Sequence, residues 1–411
     1  MRFARLASLA LVAMLLTVAA HAAEPIKIGF SMSLTGGLAS GGKSSLLAMQ
    51  IWETDINAKG GLLGRPVKLV YYDDQSSPAN VPPIYAKLID VDKVDLVVSA
   101  YATNLIAPAM PTVMEHNMAF MALFGTAVND KFKYDKYFQI LPNGKDTATA
   151  PSEGWLELAM TMDPKPKTIA LIAADAEFAQ NVAKGAREVI KRLGLETVYD
   201  KSYDPKTQDF ASIIRAVQAT NPELVYAASY PPDSVGLIKA ANELGLKARL
   251  FGGGMVGLAF APIKVALGPL LNGVVAYDVY VPEPTMKFPG IESFLPRYQA
   301  AAGKDDPLGF YLPPFAYAEL QVLGDAVTAT GGLDQDKIGK YIHATTFHTI
   351  VGDVKFADNG EWEKGRLIFV QYQGIDGSGV EQFKQAGKQV ILWPPELRSG
   401  KLMAPYTPGM K

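Results

Sequence analysis

The 411-residue sequence contains no cysteine and only four histidines. The absence of cysteine excludes disulfides, thiolate nucleophiles, cysteine-based zinc sites and a lipid attached through cysteine. Lys and Arg number 39 against 41 Asp and Glu, so the formal charge is -2. Without a basic excess, we expect no nucleic-acid partner and no anionic-membrane partner. After residue 22, no apolar run approaches the roughly 20 residues that a membrane-spanning helix needs.

Groups of residues that support catalysis are also scarce. His343 and His348 are five residues apart, which is not the spacing of a helical zinc pair, so we expect them to be surface or capping residues. No G-x-S-x-G elbow for a nucleophilic serine is present. Asp73-Asp74 could serve acid/base chemistry, but a polar strand end entering a turn is the better interpretation. The sequence therefore predicts a protein that is not an enzyme and that carries neither metal nor cofactor.

The first 22 residues have the pattern of an export signal. Arg2 and Arg5 precede an apolar run from residue 6 to 20, and Ala20-His21-Ala22 has the small-x-small pattern of a cleavage site. We expect a cleaved signal peptide at residues 1–22 and a soluble protein in a Gram-negative periplasm. Export also argues against nucleotides as partners.

Short apolar runs alternate with helix-patterned segments along the chain. The predicted strands cover 26–30, 67–72, 95–98, 118–123, 168–173, 196–202, 223–229 and 248–251. The predicted helices cover 43–58, 79–90, 104–116, 178–193, 208–219 and 233–244. This alternation is typical of βαβ units and predicts an α/β fold with two doubly wound parallel-sheet halves.

One glycine-rich segment matches a nucleotide-binding motif. Residues 37–44 fit G-x-x-x-x-G-K-[ST] and lie between a predicted strand and a predicted helix. Export to a compartment where ATP is scarce argues against a nucleotide triphosphatase. A loop that faces a ligand carboxylate is the interpretation that we keep.

Polar and aromatic residues are concentrated just after predicted strands. Ligands of open α/β sheets bind beyond the carboxyl ends of the strands, so we interpret this set as a binding site in a cleft between the two halves. The candidates are Tyr101, Thr103, Asn104, Phe124, Gly125, Thr126, Phe178, Tyr230 and Asp233.

Several segments carry a family resemblance. They are residues 26–36, the D-I-N-A-K-G-G-x-x-G segment with its following Arg-Pro at 55–66, Tyr72-Asp73-Asp74, Asp209-Phe210 and residues 240–246. With these segments, the chain resembles type I periplasmic solute-binding proteins of the branched-chain amino-acid (leucine/isoleucine/valine-binding) class, which serve ABC importers. The resemblance covers essentially the whole chain after residue 22.

The resemblance implies two lobes joined by a three-segment hinge. We expect lobe 1 to comprise 23–143 plus 278–352, and lobe 2 to comprise 144–277 plus 353–411. It also implies a monomer that closes on a small-molecule ligand and docks on an inner-membrane permease. By the same resemblance, Thr103 and Thr126 hold the ligand carboxylate, and Phe178 and Tyr230 cover the ligand from lobe 2.

The chain departs from the amino-acid binders at one position. After the predicted strand 248–251, where those proteins carry an acid for the ligand ammonium, the chain has Gly252-Gly253-Gly254-Met255. We interpret Gly254 as leaving space for a ligand, and we hypothesise a carboxylate with an apolar or aromatic body, such as a benzoate-like acid. Asp233, Asp278 or Glu283 can still replace the missing acid, which keeps an amino-acid binder open. A periplasmic ligand-sensing subunit is a further alternative.

Overall fold

The computed structural model describes residues 24–408, so the export signal predicted at residues 1–22 lies outside the described residues. The strands are β1 (Ile26–Met32), β2 (Val67–Asp73), β3 (Leu96–Tyr101), β4 (Phe120–Leu123), β5 (Tyr137–Gln139), β6 (Thr168–Ala174), β7 (Glu196–Tyr203), β8 (Leu224–Ser229), β9 (Leu250–Met255), β10 (Val275–Asp278), β11 (Thr346–Thr349), β12 (Gly352–Lys355), β13 (Ile368–Tyr372) and β14 (Gln389–Trp393).

The α-helices alternate with these strands through most of the chain. They are α1 (Ala39–Ala58), α2 (Val81–Ala86), α3 (Thr103–Ile106), α4 (Met110–Glu115), α5 (Val128–Phe132), α6 (Ala150–Ala159), α7 (Glu177–Leu193), α8 (Phe210–Ala219), α9 (Pro231–Glu243), α10 (Ala261–Leu267), α11 (Pro289–Ala302), α12 (Pro313–Thr330) and α13 (Gln335–Ala344).

Local sequence explains where these elements form and end. The strands β3 and β8 are buried along their whole length and read as continuous runs of small and apolar residues, as expected of parallel strands covered on both faces. Helix α7 buries Val182, Ala186 and Val189 and ends at Gly194, whose positive φ of 71° suits a residue without a Cβ. Asp209 caps α8 by accepting a hydrogen bond from the Ser212 N–H at 3.0 Å.

Two parallel sheets dominate the fold, and their parallel strands share one connectivity. The first sheet has the order β2-β1-β3-β4-β5 and is parallel throughout. In the second sheet, β7-β6-β8-β9-β10 repeat that order, and β13 and β14 extend the sheet with antiparallel pairing. In the first sheet, β2 lies on one side of β1 and β3 lies on the other, and β7 and β8 flank β6 in the same way in the second sheet. Such a change in the direction of the connections opens a crevice at the carboxyl ends of the strands. The predicted α/β class with two parallel-sheet lobes is confirmed.

Three connections link the elements around the first sheet to those around the second. They lie between β5 and α6, between β10 and α11, and between β12 and β13; α11 and α12 pack on α1 beside the first sheet. The exact lobe boundaries that the sequence predicts stay a prediction.

Several element boundaries differ from those predicted from the sequence. Helix α1 begins at Ala39 rather than at residue 43, so the end of the glycine-rich segment is helical. A Cβ at Gly42 would lie 1.9 Å from the Ser33 carbonyl oxygen, so this glycine serves close helix packing. Strand β3 extends to Tyr101. The sequence did not predict β5, which has only three residues, or α6, which lacks a clear hydrophobic period.

The glycine run from 252 to 254 lies within β9 and does not follow it. A Cβ at Gly252 would lie 1.9 Å from the Val275 carbonyl oxygen, and one at Gly253 would lie 2.6 Å from the Tyr226 ring. The interpretation of these glycines as open space for a ligand is therefore wrong. They allow β10 and the Tyr226 side chain to approach the strand closely.

A buried ion pair lies where β10 leaves the second sheet. Lys264 on α10 and Asp278 at the end of β10 are 0% and 1% exposed, and their charged atoms Nζ and Oδ2 are 3.6 Å apart. The Asp278 carboxylate also accepts the Val279 N–H at 2.8 Å, and Lys264 donates to Gln389 on β14. Burial lowers the pKa of Lys264, and the nearby Asp278 charge opposes that shift. The pair thus ties one hinge connection to α10 and β14.

Asp278→Asn should destabilise the protein strongly, because it leaves the Lys264 ammonium buried without its anionic partner. Removing one member of a buried pair typically costs about 3–5 kcal/mol. We expect a loss of this size in the free energy of unfolding measured with urea. Lys264→Met combined with Asp278→Leu should recover most of it, since no charge is then buried. A single Asp278→Asn variant within about 1 kcal/mol of the wild type would show that the pair does not matter.

Candidate functional site

A narrow cavity lies between the carboxyl ends of the two sheets, and we call it the inner cavity. It is nearly filled by its own lining: the free space is about 10 Å³, against roughly 300–1,000 Å³ for ligand sites, so a ligand can occupy it only after the two walls move apart. Its lining comprises Tyr101, Ala102, Thr103, Phe124, Thr126, Leu141, Phe178, Tyr230, Val256, Tyr277 and Tyr311.

Two threonines from neighbouring loops form the polar part of the first wall. Thr103 follows β3 and Thr126 follows β4, and the Thr126 N–H donates to the Thr103 hydroxyl oxygen at 2.9 Å. The Thr103 O–H is left to donate elsewhere. Within residues 24–408, the backbone N–H groups of Thr103, Asn104 and Gly125 have no hydrogen-bond acceptor. This wall therefore presents hydroxyl and amide donors to the cavity.

The backbone of these two loops is strained. Ala102, Phe124 and Ala127 have φ values of 88°, 61° and 56°, a region that residues with a Cβ seldom adopt. Such strain costs about 1–3 kcal/mol per residue and persists only where surrounding structure enforces it. Non-glycine outliers of this kind concentrate at ligand sites, which supports a binding role for the loops.

The buried side chain of Gln139 enforces the loop after β4. Its Oε1 accepts the N–H groups of Phe124 and Leu141, both at 3.0 Å, and its Nε2 donates to the Gly125 carbonyl oxygen at 2.8 Å. Gln139 is the last residue of β5 and is fully buried. The sequence analysis missed this residue because β5 has three residues and gives no periodic signal.

The second wall comes from the second sheet. Phe178 lies in the first turn of α7 after β6, and Tyr230 lies directly after β8. The Tyr230 hydroxyl accepts the Phe178 N–H at 3.1 Å, and the two rings pack edge to face at 5.7 Å between centroids. One turn further along α7, the Asn181 amide donates to the Thr126 carbonyl oxygen at 2.9 Å. This hydrogen bond joins the two walls directly.

The third wall joins both sides of the molecule. Tyr277, near the end of β10, and Tyr311, in the loop before α12, have hydroxyl oxygens 3.0 Å apart. The Tyr311 ring packs edge to face on Phe124 at 5.1 Å and on Phe260 at 5.3 Å. Tyr101 fills the space beside Gly41, where a Cβ would lie 2.9 Å from its ring.

The inner cavity carries no charge. None of its lining residues is Asp, Glu, Lys, Arg or His, and six of the eleven are aromatic. Burial raises the pKa of Tyr101, Tyr230, Tyr277 and Tyr311, so all four phenols are neutral at neutral pH. The site can hold an apolar body by ring contacts and one anionic or polar group by donors.

Three of the predicted site residues, Asn104, Tyr230 and Asp233, lie on a second, wider space, which we call the outer groove. Its free volume is about 490 Å³, and it is lined by Gly37, Leu38, Ser76, Asn104, Ala176, Pro205, Lys206, Tyr230, Pro232 and Asp233. Tyr230 lines both the groove and the inner cavity, whereas Asn104 and Asp233 line the groove only. The glycine-rich loop reaches this groove and not the cavity. Asp233 accepts a hydrogen bond from the Tyr203 hydroxyl at 3.1 Å, and burial raises the pKa of its carboxyl group.

The other two candidate acids are satisfied within the protein. Asp278 pairs with Lys264, as described above. The Glu283 carboxylate accepts the Gly387 N–H at 2.6 Å. Neither lines the inner cavity, so neither supplies a carboxylate there.

The structure brings six predicted site residues together: Tyr101, Thr103, Phe124, Thr126, Phe178 and Tyr230. Gly125 and Gly254 do not line the cavity; a Cβ at Gly125 would meet Gln139 at 2.8 Å, and one at Gly254 would meet Val182 at 3.1 Å. The sequence analysis missed Ala102, Leu141, Val256, Tyr277 and Tyr311. Tyr277 lies within β10, one residue before its end, and not after a strand, whereas Tyr311 comes from a loop without a local signal.

The other polar motifs considered in the sequence, Asp73-Asp74 and the two late histidines, make hydrogen bonds within the protein. Asp73 accepts the N–H groups of Leu34 and Gln75 at 2.9 and 2.8 Å and thereby organises the turn after β2. His343 bonds to the Asp135 carbonyl oxygen and His348 pairs with Asp353 at the surface. Within residues 24–408, no group of three or more His, Asp or Glu side chains is placed to hold a metal ion. In the same range, no helix combines the length and hydrophobicity needed to cross a membrane.

Comparison with known proteins gives a consistent result. Residues 25–376 match the sequence profile described as periplasmic binding protein. The Leu/Ile/Val-binding protein homolog 7 of Brucella suis biovar 1 is 27% identical over 389 residues, which cover 91% of this chain and 95% of the relative.

Solved structures share the fold. The branched-chain amino acid transporter substrate binding protein of Streptococcus pneumoniae, in complex with isoleucine, superposes with a TM-score of 0.74 at 17% identity, covering 90% of this chain and 100% of that one. An ABC transporter solute binding protein from R. palustris, in complex with 4-hydroxybenzoate, has a TM-score of 0.72 at 18% identity, covering 86% and 94%. At these identities the structures inform on the fold alone.

Gln139→Met should destabilise the site loop, because it leaves two N–H groups and one carbonyl oxygen buried without partners. Each such group costs about 1–3 kcal/mol, so we expect a loss of about 3 kcal/mol or more in the free energy of unfolding. Urea unfolding measures it. Gln50→Met is the matched control, since Gln50 makes one long hydrogen bond of 3.3 Å to the Tyr71 hydroxyl. Equal losses in the two variants would contradict the role given to Gln139.

Proposed function

Since the chain belongs to the periplasmic binding protein family, we propose that it is the substrate-binding component of an ABC importer and closes on a small carboxylate with an apolar, aromatic body. In this proposal the protein is exported by the signal at residues 1–22, and it acts as a soluble monomer in the periplasm. Its closed form docks on an inner-membrane permease.

The observation that carries the proposal is the uncharged, ring-lined inner cavity. An amino acid would place its ammonium group in a cavity without a carboxylate, and an unpaired charge is costly to bury. A carboxylate without an ammonium group avoids this cost. Its apolar body would contact Tyr101, Phe124, Phe178 and Tyr230, where flat rings pack favourably.

Donors on the first wall would hold the carboxylate. The Thr103 O–H, the free N–H group of Thr103 and the Thr126 hydroxyl belong to two residues that line the cavity and that are joined by the Thr126 N–H bond to the Thr103 hydroxyl oxygen. Hydrogen bonds to an ionised group are worth about 1.5–3 kcal/mol each, because the acceptor carries a full charge. Several such bonds can keep a carboxylate ionised without a cationic partner.

Closure would bring the second wall over the ligand. Phe178 and Tyr230 lie on the second-sheet side and cover the cavity from there. The hydrogen bond from Asn181 to the Thr126 carbonyl oxygen forms only when the two sides meet. A ligand that contacts both walls therefore stabilises the closed form and shifts the open–closed equilibrium, which the permease can detect.

An amino-acid ligand is the second candidate, and the printed names of the curated relatives favour it. It would need an acid close to the ligand. Asp233 is the acid near the site, but it lines the outer groove and not the inner cavity. The tests below separate this candidate from the first.

Benzoate and 4-methylbenzoate should bind to the protein after removal of residues 1–22, and leucine should not. At 100 times its dissociation constant, a ligand adds about 2.7 kcal/mol of stability, which a thermal-shift assay detects. Stabilisation by leucine but not by the aromatic acids would reject the proposal. If Asp233→Asn then abolished leucine binding, the amino-acid candidate would be supported in its place.

Thr103→Val should weaken benzoate binding about 10-fold to 100-fold, since it keeps the side-chain shape and removes the hydroxyl that meets the carboxylate. Isothermal titration calorimetry measures the dissociation constant. Thr54→Val, on the exposed face of α1, is the control and should bind as the wild type does. Unchanged affinity in Thr103→Val would place the carboxylate elsewhere.

Asn181→Ala should weaken benzoate binding about 2-fold to 10-fold without touching the ligand, because it removes one hydrogen bond of the closed form. Gln180→Ala is the matched control: Gln180 is the neighbouring residue on α7, and its amide bonds within the second-sheet side to Ala174 and Ser202. The two variants should differ in dissociation rate under stopped-flow mixing. Similar rates would exclude Asn181 as a contact that stabilises closure.

A further inference from the structure

The third wall of the inner cavity contains an incomplete hydrogen-bond pair. The hydroxyl oxygens of Tyr277 and Tyr311 are 3.0 Å apart, and both side chains are 4% exposed. Two hydroxyls that bond to each other use one of their two protons. Within residues 24–408, neither hydroxyl has another hydrogen-bond partner. One buried O–H therefore remains without an acceptor from the protein.

An unpaired donor of this kind is costly to bury. Leaving a buried hydroxyl without a partner typically costs about 1–3 kcal/mol, and buried polar groups in folded proteins nearly always have one. Both hydroxyls belong to residues that line the inner cavity, so an acceptor placed in the cavity can meet the free proton. The pair is thus a polar point in an otherwise aromatic wall.

Both tyrosines are held firmly. Tyr277 lies in β10 and pairs with Phe369 of β13. The Tyr311 ring is held between Phe124 and Phe260 by edge-to-face contacts on each side. With the two sides together, a hydroxyl pair on such fixed rings is shielded from solvent, so it discriminates between ligands that can satisfy it and ligands that cannot.

We propose that the Tyr277–Tyr311 hydroxyl pair selects aromatic carboxylates that carry a hydrogen-bonding oxygen on the ring, such as hydroxybenzoates. This inference rests on the proposed function, since it assumes that an aromatic carboxylate occupies the inner cavity. The ring oxygen accepts the free tyrosine proton, while the first wall holds the carboxylate. Tyr277 comes from the second sheet and Tyr311 from the first-sheet side, so the oxygen also joins the two sides and favours closure.

The experiment measures dissociation constants by calorimetry for benzoate, 4-methylbenzoate and the 2-, 3- and 4-hydroxybenzoates. The probes are tested on the wild type, Tyr277→Phe, Tyr311→Phe and the double variant. 4-Methylbenzoate controls for size, because it adds a group without a hydrogen-bonding oxygen. Tyr317→Phe is the control variant, since its hydroxyl bonds to Asp55 and lies outside the cavity.

We expect at least one hydroxybenzoate to bind the wild type and Tyr317→Phe about 10-fold more tightly than benzoate and 4-methylbenzoate do. In the double variant, which keeps both rings, that preference should fall to about 2-fold or less while benzoate still binds. Tyr→Phe changes are small, and the benzoate arm shows that each variant folds.

Two results would overturn the inference. If the wild type bound benzoate and every hydroxybenzoate within about 2-fold, or if the double variant kept the preference, the hydroxyl pair would not select the ligand. If no aromatic carboxylate bound the wild type, the proposed function would fail, and this inference would fail with it. The benzoate arm therefore tells the two failures apart.

Discussion

Parallel strand pairing is the constraint on which the site depends. A parallel strand starts and ends at the same edges as its neighbours, so all carboxyl ends of a sheet meet at one edge. This chain builds two such sheets with the same order of their parallel strands. Residues that follow β3 and β4 therefore lie together, as do those that follow β6 and β8. The inner cavity forms where these two edges face each other.

The inner cavity is uncharged because no charged side chain lines it. Aromatic rings and hydroxyls line it, and burial keeps its phenols neutral. The nearby acids are engaged elsewhere: Asp278 with Lys264, and Asp233 with Tyr203 on the outer groove. An uncharged cavity can still hold one anion when several donors converge, but it penalises a second, opposite charge without a partner.

One set of hydrogen bonds stabilises the loop after β4, and another set joins the two sides of the site. Gln139 holds the loop after β4 in its strained conformation through hydrogen bonds to three backbone groups. That loop belongs to one side and needs no ligand to keep its shape. The contacts between the sides include two hydrogen bonds, Asn181 with Thr126 and Tyr277 with Tyr311, and the Tyr311 ring also packs on Phe260. Directional contacts such as these hydrogen bonds suit an interface that must form and separate repeatedly.

The sequence by itself determined the fold class, most strand positions and the family, because strand and helix periods and the 55–66 segment are local signals. It also placed Thr103, Thr126, Phe178 and Tyr230 among the candidates, since each lies within a few residues after a predicted strand, and all four line the inner cavity. Other features of the site became clear only from the tertiary structure. Whether Gly254 leaves space depended on Tyr226, which packs against the strand from β8. Only the three-dimensional packing shows that Asp233 lines the outer groove and not the inner cavity. Gln139 and the Tyr277–Tyr311 pair join residues that are distant in sequence, and no local pattern encodes such contacts.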